Sequence, residues 1–140
     1  MIILTRIDDR LVHAQVVVGW GRELKPDRIV VADDLVASSE WERDLCASAA
    51  PPEIRVSILS VSDAYESISA GKFDGERTIL LVRGPAEIVR LLDMGLEIPE
   101  VNVGGMHFSD GKVKLLHNVY LDDDGRKALG ELARRGITLE

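Results

Sequence analysis

A three-layer α/β/α domain on a mostly parallel central sheet is the fold this sequence predicts. Three observations carry that expectation. Short β-branched runs alternate along the chain with segments of helical spacing. Those runs are apolar nearly throughout, as strands covered on both faces are. Cap and stop signals fall where the segments meet. The chain has 140 residues, 46% of them hydrophobic. That suffices for one real core and not for two, so residues 1–140 are read as a single domain.

The strand runs are Ile2–Thr5, Arg28–Ala32, Ile54–Leu59, Thr78–Val82 and Val101–Val103. Between them, apolar residues recur at three- and four-residue intervals: Val17, Trp20 and Leu24; Trp41, Leu45 and Ala49; Ala64, Tyr65 and Ile68; Ile88, Leu91 and Leu92; Ala128, Leu129 and Leu132. Each stripe suits a helix lying on a sheet, so Trp41 and Leu45 are expected in the core, with Cys46 beside them. Ser39-Glu40-Trp41-Glu42 and Asp63-Ala64-Tyr65-Glu66 have capping-box spacing. Gly84-Pro85 places proline at a first helical position, where no amide donor is needed. Pro26 and Pro51-Pro52 close helices, and Gly95 and Gly136 sit where helices stop. After residue 104 glycine-rich turns precede a strand-like run, Val113–Leu121. There the reading admits an antiparallel edge strand near the C-terminus.

Composition narrows the function. Seventeen basic against 24 acidic residues leave a net charge of −7, poorly suited to coating a nucleic-acid backbone or an anionic membrane. Two Phe, two Tyr and two Trp leave little for stacking on bases. One cysteine excludes an internal disulfide framework and a cysteine-rich zinc site. No secretory h-region and no run of 18 apolar residues occurs. A cytoplasmic chain that does not itself span a membrane is therefore expected.

In an open parallel sheet, ligands bind beyond the carboxyl ends of the strands. The loop after the first strand holds Arg6, Asp8, Asp9, Arg10, His13 and Gln15 between a strand and a helix. At a helix start, free amides and the helix dipole favour an anion and keep an imidazole neutral and nucleophilic. Arg10 could clamp phosphate oxygens with its planar fork, while Asp8 or Asp9 orients the imidazole or holds Arg10. The plainer alternative has Asp8 and Asp9 capping a helix and pairing with arginines. Asp33-Asp34, after the second strand, reads as a turn and cap. His107 and His117 read as structural. No P-loop or dinucleotide fingerprint is present.

The stretch Arg6-Ile-Asp-Asp-Arg-Leu-Val-His-Ala-Gln-Val16 closely resembles the signature of enzyme IIB components of the mannose/fructose/sorbose family of the bacterial sugar phosphotransferase system (PTS). Asn102-Val-Gly-Gly-Met-His-Phe108 resembles that family's second recurrent stretch. The resemblance implies a cytoplasmic phosphocarrier. His13 would accept a phosphoryl group, on its δ1 nitrogen, from a histidine of the IIA component. It would pass that group to a sugar moving through the membrane components IIC and IID. Arg10 would be the phosphate-binding arginine, with Arg6, Asp8, Asp9 and Gln15 in support. Neither a metal nor a cofactor is implied.

Three departures from the family pattern stand out. Ala14 replaces the usual Gly. Gly84 replaces a hydroxyl residue, leaving only backbone donors for phosphate there. The chain ends at Glu140, short of where members usually end. These features also suit an alternative, a regulatory carrier of the same kind not coupled to sugar transport. A response-regulator receiver domain would need an Asp ending the third strand and a Lys after the fifth. Those places hold Ser60-Val61 and Gly104-Gly105. A plain ligand-binding α/β module is the remaining alternative.

Overall fold

The computed structural model describes residues 1–12, 21–104, 113–116 and 119–140. Its elements run β1 (Ile2–Ile7), α1 (Gly21–Leu24), β2 (Arg28–Ala32), α2 (Asp34–Ala37), α3 (Glu40–Ser48), β3 (Arg55–Leu59) and α4 (Val61–Ser69). They continue through β4 (Thr78–Val82), α5 (Pro85–Met94), β5 (Glu100–Val103), β6 (Val113–Leu116), β7 (Val119–Leu121), α6 (Asp123–Arg134) and β8 (Thr138–Leu139). Every strand run expected from the sequence is present.

Among the described residues, the main sheet has six strands in the order β3-β2-β4-β1-β5-β8, all parallel. Strand β4 lies at its centre and is buried at all five positions, which is why Thr78–Val82 reads as an unbroken apolar run. Antiparallel pairing does occur near the C-terminus, but in a separate two-stranded ribbon of β6 and β7. The edge strand is β8, and it pairs in parallel with β5. Two residues are too short a run to carry a strand pattern, so β8 was not legible beforehand.

Alternation along the strands divides the core in two. Val30, Ala32, Leu80 and Val82 face Val61 and Ala64 of α4, Ile88 and Leu91 of α5, and Leu129 and Leu132 of α6. Ile29, Val31, Ile79 and Leu81 face the opposite layer, with Leu11, Val12, Leu24, Val36 and Cys46. The three layers follow from this period-two pattern.

The terminal signals act much as read. Ser39 caps α3 by accepting from the Glu42 amide. Pro85 opens α5 behind Gly84. Gly95 ends α5 in the left-handed region at φ 112°, and Gly136 follows α6 at φ 81°, where a side chain would be strained. Two expectations are corrected. Helix α4 starts at Val61, not beside Asp63, because Ser60 caps it by accepting from the Asp63 amide. Trp41 and Leu45 are not core: they are 71% and 56% exposed. Helix α3 packs on β3, the edge strand, so no further strand lies beneath its outer flank. Only Cys46 turns inward from it, half-buried.

Candidate functional site

The winding of the sheet reverses between β4 and β1. From β1 the chain travels toward β2, and from β4 it travels the opposite way, toward β5, across the other face. The crevice between the carboxyl ends of these two neighbours is the switch point where such sheets bind ligands. Register brings three loops together there, since Ile7 pairs with both Val82 and Val103. The segments beginning at Asp8, Arg83 and Gly104 therefore leave one edge side by side. The Asp8 amide donates to Val82 O at 2.9 Å, and the Gly104 amide donates to Ile7 O at 2.7 Å.

The turn after β1 is built on Asp8, which is fully buried. Its Oδ1 accepts from the Arg10 amide at 3.1 Å, and the Leu11 amide donates to Asp8 O at 3.0 Å. Leu11 takes a left-handed conformation, φ 56°, which costs a non-glycine residue about 1–2 kcal/mol. Its side chain, with that of Val12, is buried among Ile29, Val31 and Ile79, and this burial offsets the strain. The turn is thus tied to the core immediately before His13. His13, Ala14 and Gln15 lie outside the described residues, as do His107 and His117.

Two guanidinium groups share the Asp8 carboxylate. Arg6 Nη2 lies 3.4 Å from Oδ2, and Arg10 Nε lies 3.8 Å from Oδ1. The Arg6 side chain is 14% exposed and that of Arg10 is 43% exposed. Arg6 also donates through Nη1 to Asn102 Oδ1 on β5. Asp8 therefore holds Arg10, one of the two roles read for it from the sequence. Asp9 lies half-buried in the same turn.

The end of β4 was expected to offer the Gly84 amide to phosphate. Gly84 is the N-cap of α5 and has no side-chain cap. A residue that the sequence reading missed reaches back instead. The Glu87 carboxylate accepts from the amides of Gly84 and of Glu87 itself, and its Oε2 would lie 3.3 Å from a Cβ placed on Gly84. Burial pushes the Glu87 carboxyl above the usual glutamate range, and the negative Asp33 adds to the rise. The two amides and the Arg90 charge pull it back. The signal was present: Glu87 stands three residues after Gly84, the return half of a capping box.

Asp33 and Asp34 act as the turn and cap expected of them. Asp33 caps α2 through the Leu35 amide and accepts from Arg83 Nε at 2.8 Å. Asp34 accepts from the Val61 amide at 2.9 Å and from Arg90 Nη1 at 2.8 Å. The amide first, and Arg90 after it, hold its carboxyl below the usual aspartate range. Arg83, counted from sequence toward a basic face, is thus answered by a carboxylate. On the face below the turn, the Val12 amide donates to the Cys46 thiol, which burial pushes upward in pKa. Among the described residues, no group of three or more His, Cys, Asp or Glu side chains could hold a metal. No helix there is long and apolar enough to cross a membrane.

Fold and edge together define the class: a doubly wound α/β domain whose crevice is furnished with guanidinium groups and backbone amides, the donors that bind phosphate. Comparison with known proteins gives the family. The sequence model of the PTS system sorbose subfamily IIB component matches residues 2–140. The chain belongs to this family, a sugar-phosphotransferase component that works with other PTS components. It is 38% identical over 137 residues to the PTS system mannose-specific EIIAB component of Escherichia coli strain K12, covering 98% of this chain and 42% of that protein. It thus spans about two fifths of that relative's length. It is 35% identical to the PTS system sorbose-specific EIIB component of Lacticaseibacillus casei, covering 100% of this chain and 85% of the relative. The crystal structure of the IIBSor domain of the sorbose permease from Klebsiella pneumoniae superposes with a TM-score of 0.93 at 33% identity, covering 100% of this chain and 86% of that one.

Proposed function

We propose that this chain is a cytoplasmic, single-domain phosphocarrier in which His13 accepts a phosphoryl group from a phosphohistidine of a IIA component. His13 then passes it to a sugar entering through IIC and IID. One observation supports this above the others: the Asp8–Arg10 turn, anchored in the core at the switch point, directly precedes His13 in the chain.

In the first transfer, the bond from phosphorus to the donor imidazole nitrogen breaks as a bond from phosphorus to His13 Nδ1 forms. The donor nitrogen keeps the electron pair. In the second, a sugar hydroxyl oxygen displaces His13, and the hydroxyl proton leaves to solvent or a nearby base. Such transfers need an in-line nucleophile and preorganised positive charge. Arg10 supplies the charge by gripping phosphate oxygens. The Gly84 amide joins once the Glu87 carboxylate gives way. Arg6, Asp8, Asp9 and Gln15 support the loop, and the protein itself makes the phosphorus–nitrogen bond without a metal.

The test is incubation with labelled phosphoenolpyruvate and the upstream carriers, then mapping of the label. Acid-labile phosphate on His13, absent from His13→Ala, is the expected result. Label on another residue would overturn the reading.

A further inference from the structure

We propose that Asn102 and Gly104, on the strand beside the reactive loop, are positioning residues for phosphoryl transfer. They seat the Arg6 guanidinium, which fixes Asp8 and leaves the Arg10 side chain available to phosphate. This rests on the reading of His13 as the phosphorylated residue.

The geometry runs in one direction across the sheet. Arg6 and Asn102 are register partners on β1 and β5. Arg6 Nη1 donates to Asn102 Oδ1, and Arg6 Nη2 lies 3.4 Å from Asp8 Oδ2. Gly104 makes room for this arrangement. A Cβ there would lie 2.5 Å from both Cζ and Nη2 of Arg6, and 2.6 Å from Ile7 O. No side chain fits between that backbone and the guanidinium, so position 104 needs glycine for space, whatever its conformation.

The seat determines what Asp8 can do with its two oxygens. With Arg6 held at Oδ2, Oδ1 receives the Arg10 amide at 3.1 Å and stays 3.8 Å from Arg10 Nε. That is beyond a hydrogen bond. The backbone of Arg10 is pinned while its guanidinium, 43% exposed, is only loosely attracted. With Arg6 unseated, the buried carboxylate would lack its second counter-charge. It would then draw in Arg10, the nearest other guanidinium, in the two-pronged pairing that arginine and carboxylate favour. Strand β5 thus keeps one arginine occupied so that the other can serve phosphate.

The experiment uses the full chain with its upstream phosphoryl donors. Asn102→Ala removes one acceptor from a half-buried residue and should fold. At saturating donor its transfer rate should fall roughly tenfold, with the half-saturating donor concentration unchanged, as a misplaced group lowers turnover. In the Arg10→Ala background the same substitution should add nothing, because the two residues act through one contact. Gly104→Ala should reproduce the rate loss and lower the Tm as well. An equal loss from Asn102→Ala in both backgrounds, a change in half-saturation alone, or no loss would each overturn the proposal.

A second readout needs no phosphorylation. Hydrogen exchange at the Arg10 amide should speed up in Asn102→Ala, while amides of β4 keep their protection. Unchanged exchange at Arg10 would also overturn the proposal. If the wild-type chain takes no label on His13, the functional reading fails, and this exchange still decides whether β5 holds the turn.

Discussion

Arg10 and Asp8 share one contact, yet their removal should damage different properties. Arg10 is 43% exposed, and its Nε stands 3.8 Å from Asp8. A pair so open to solvent contributes only about 0–1 kcal/mol to stability. A charge-assisted hydrogen bond to phosphate is worth about 1.5–3 kcal/mol, which corresponds to roughly ten- to hundredfold in rate. Arg10→Ala should therefore transfer phosphate roughly ten- to hundredfold more slowly while melting within about 4 °C of wild type. Lysine should recover only part of the rate, since it keeps the charge and loses the planar fork. Asp8 is fully buried and Arg6 is 14% exposed. Breaking a buried pair leaves an uncompensated charge and costs about 3–5 kcal/mol. Asp8→Asn keeps an acceptor for the Arg10 amide and belongs at the lower end, about 3 kcal/mol, or a Tm fall of about 6–12 °C. The assay is rapid-quench transfer from phosphorylated donor, run beside thermal melts of both variants. A near-normal rate in folded Arg10→Ala would remove the phosphate clamp. A Tm loss in Arg10→Ala as large as that in Asp8→Asn would show that the arginine is structural.

Three further outcomes follow from the same edge. His13→Ala should lose all acid-labile label yet melt like wild type, whereas His107→Ala and His117→Ala should still be labelled in the same autoradiograph. Because Asp8 and Asp33 answer the arginines of this edge, steering of an acidic donor should be weak. Stopped-flow transfer rates should fall only shallowly with salt, and a steep fall would reveal positive charge beyond these pairs. Glu87 has a raised carboxyl pKa, chiefly from burial, so the fold favours its protonated form. The stability linked to that proton is present below the ordinary glutamate value of 4.5 and is lost as pH climbs through the raised one. Glu87→Gln mimics the neutral form. Its Tm advantage over wild type should grow from pH 4 to pH 7, and a gap that is flat across that range would contradict the burial argument.

The sequence by itself determined what depends on near neighbours in the chain. Period-two and three-to-four-residue patterns specify the strands and helices. Gly84-Pro85, Ser39 and Gly95 mark the helix ends, because capping joins residues a turn apart. The parallel fold, the edge that carries the site and the arginine before His13 were legible for the same reason. Tertiary structure decided which long side chains meet. Arg6 finds Asn102 96 positions away only because β1 and β5 lie side by side. Arg83 is engaged by Asp33 because both leave the same edge, from β4 and its neighbour β2. Trp41 remains exposed because its helix covers the sheet's last strand, a position set by strand order. A flexible charged side chain has several partners within reach, and periodicity does not choose among them; strand order does.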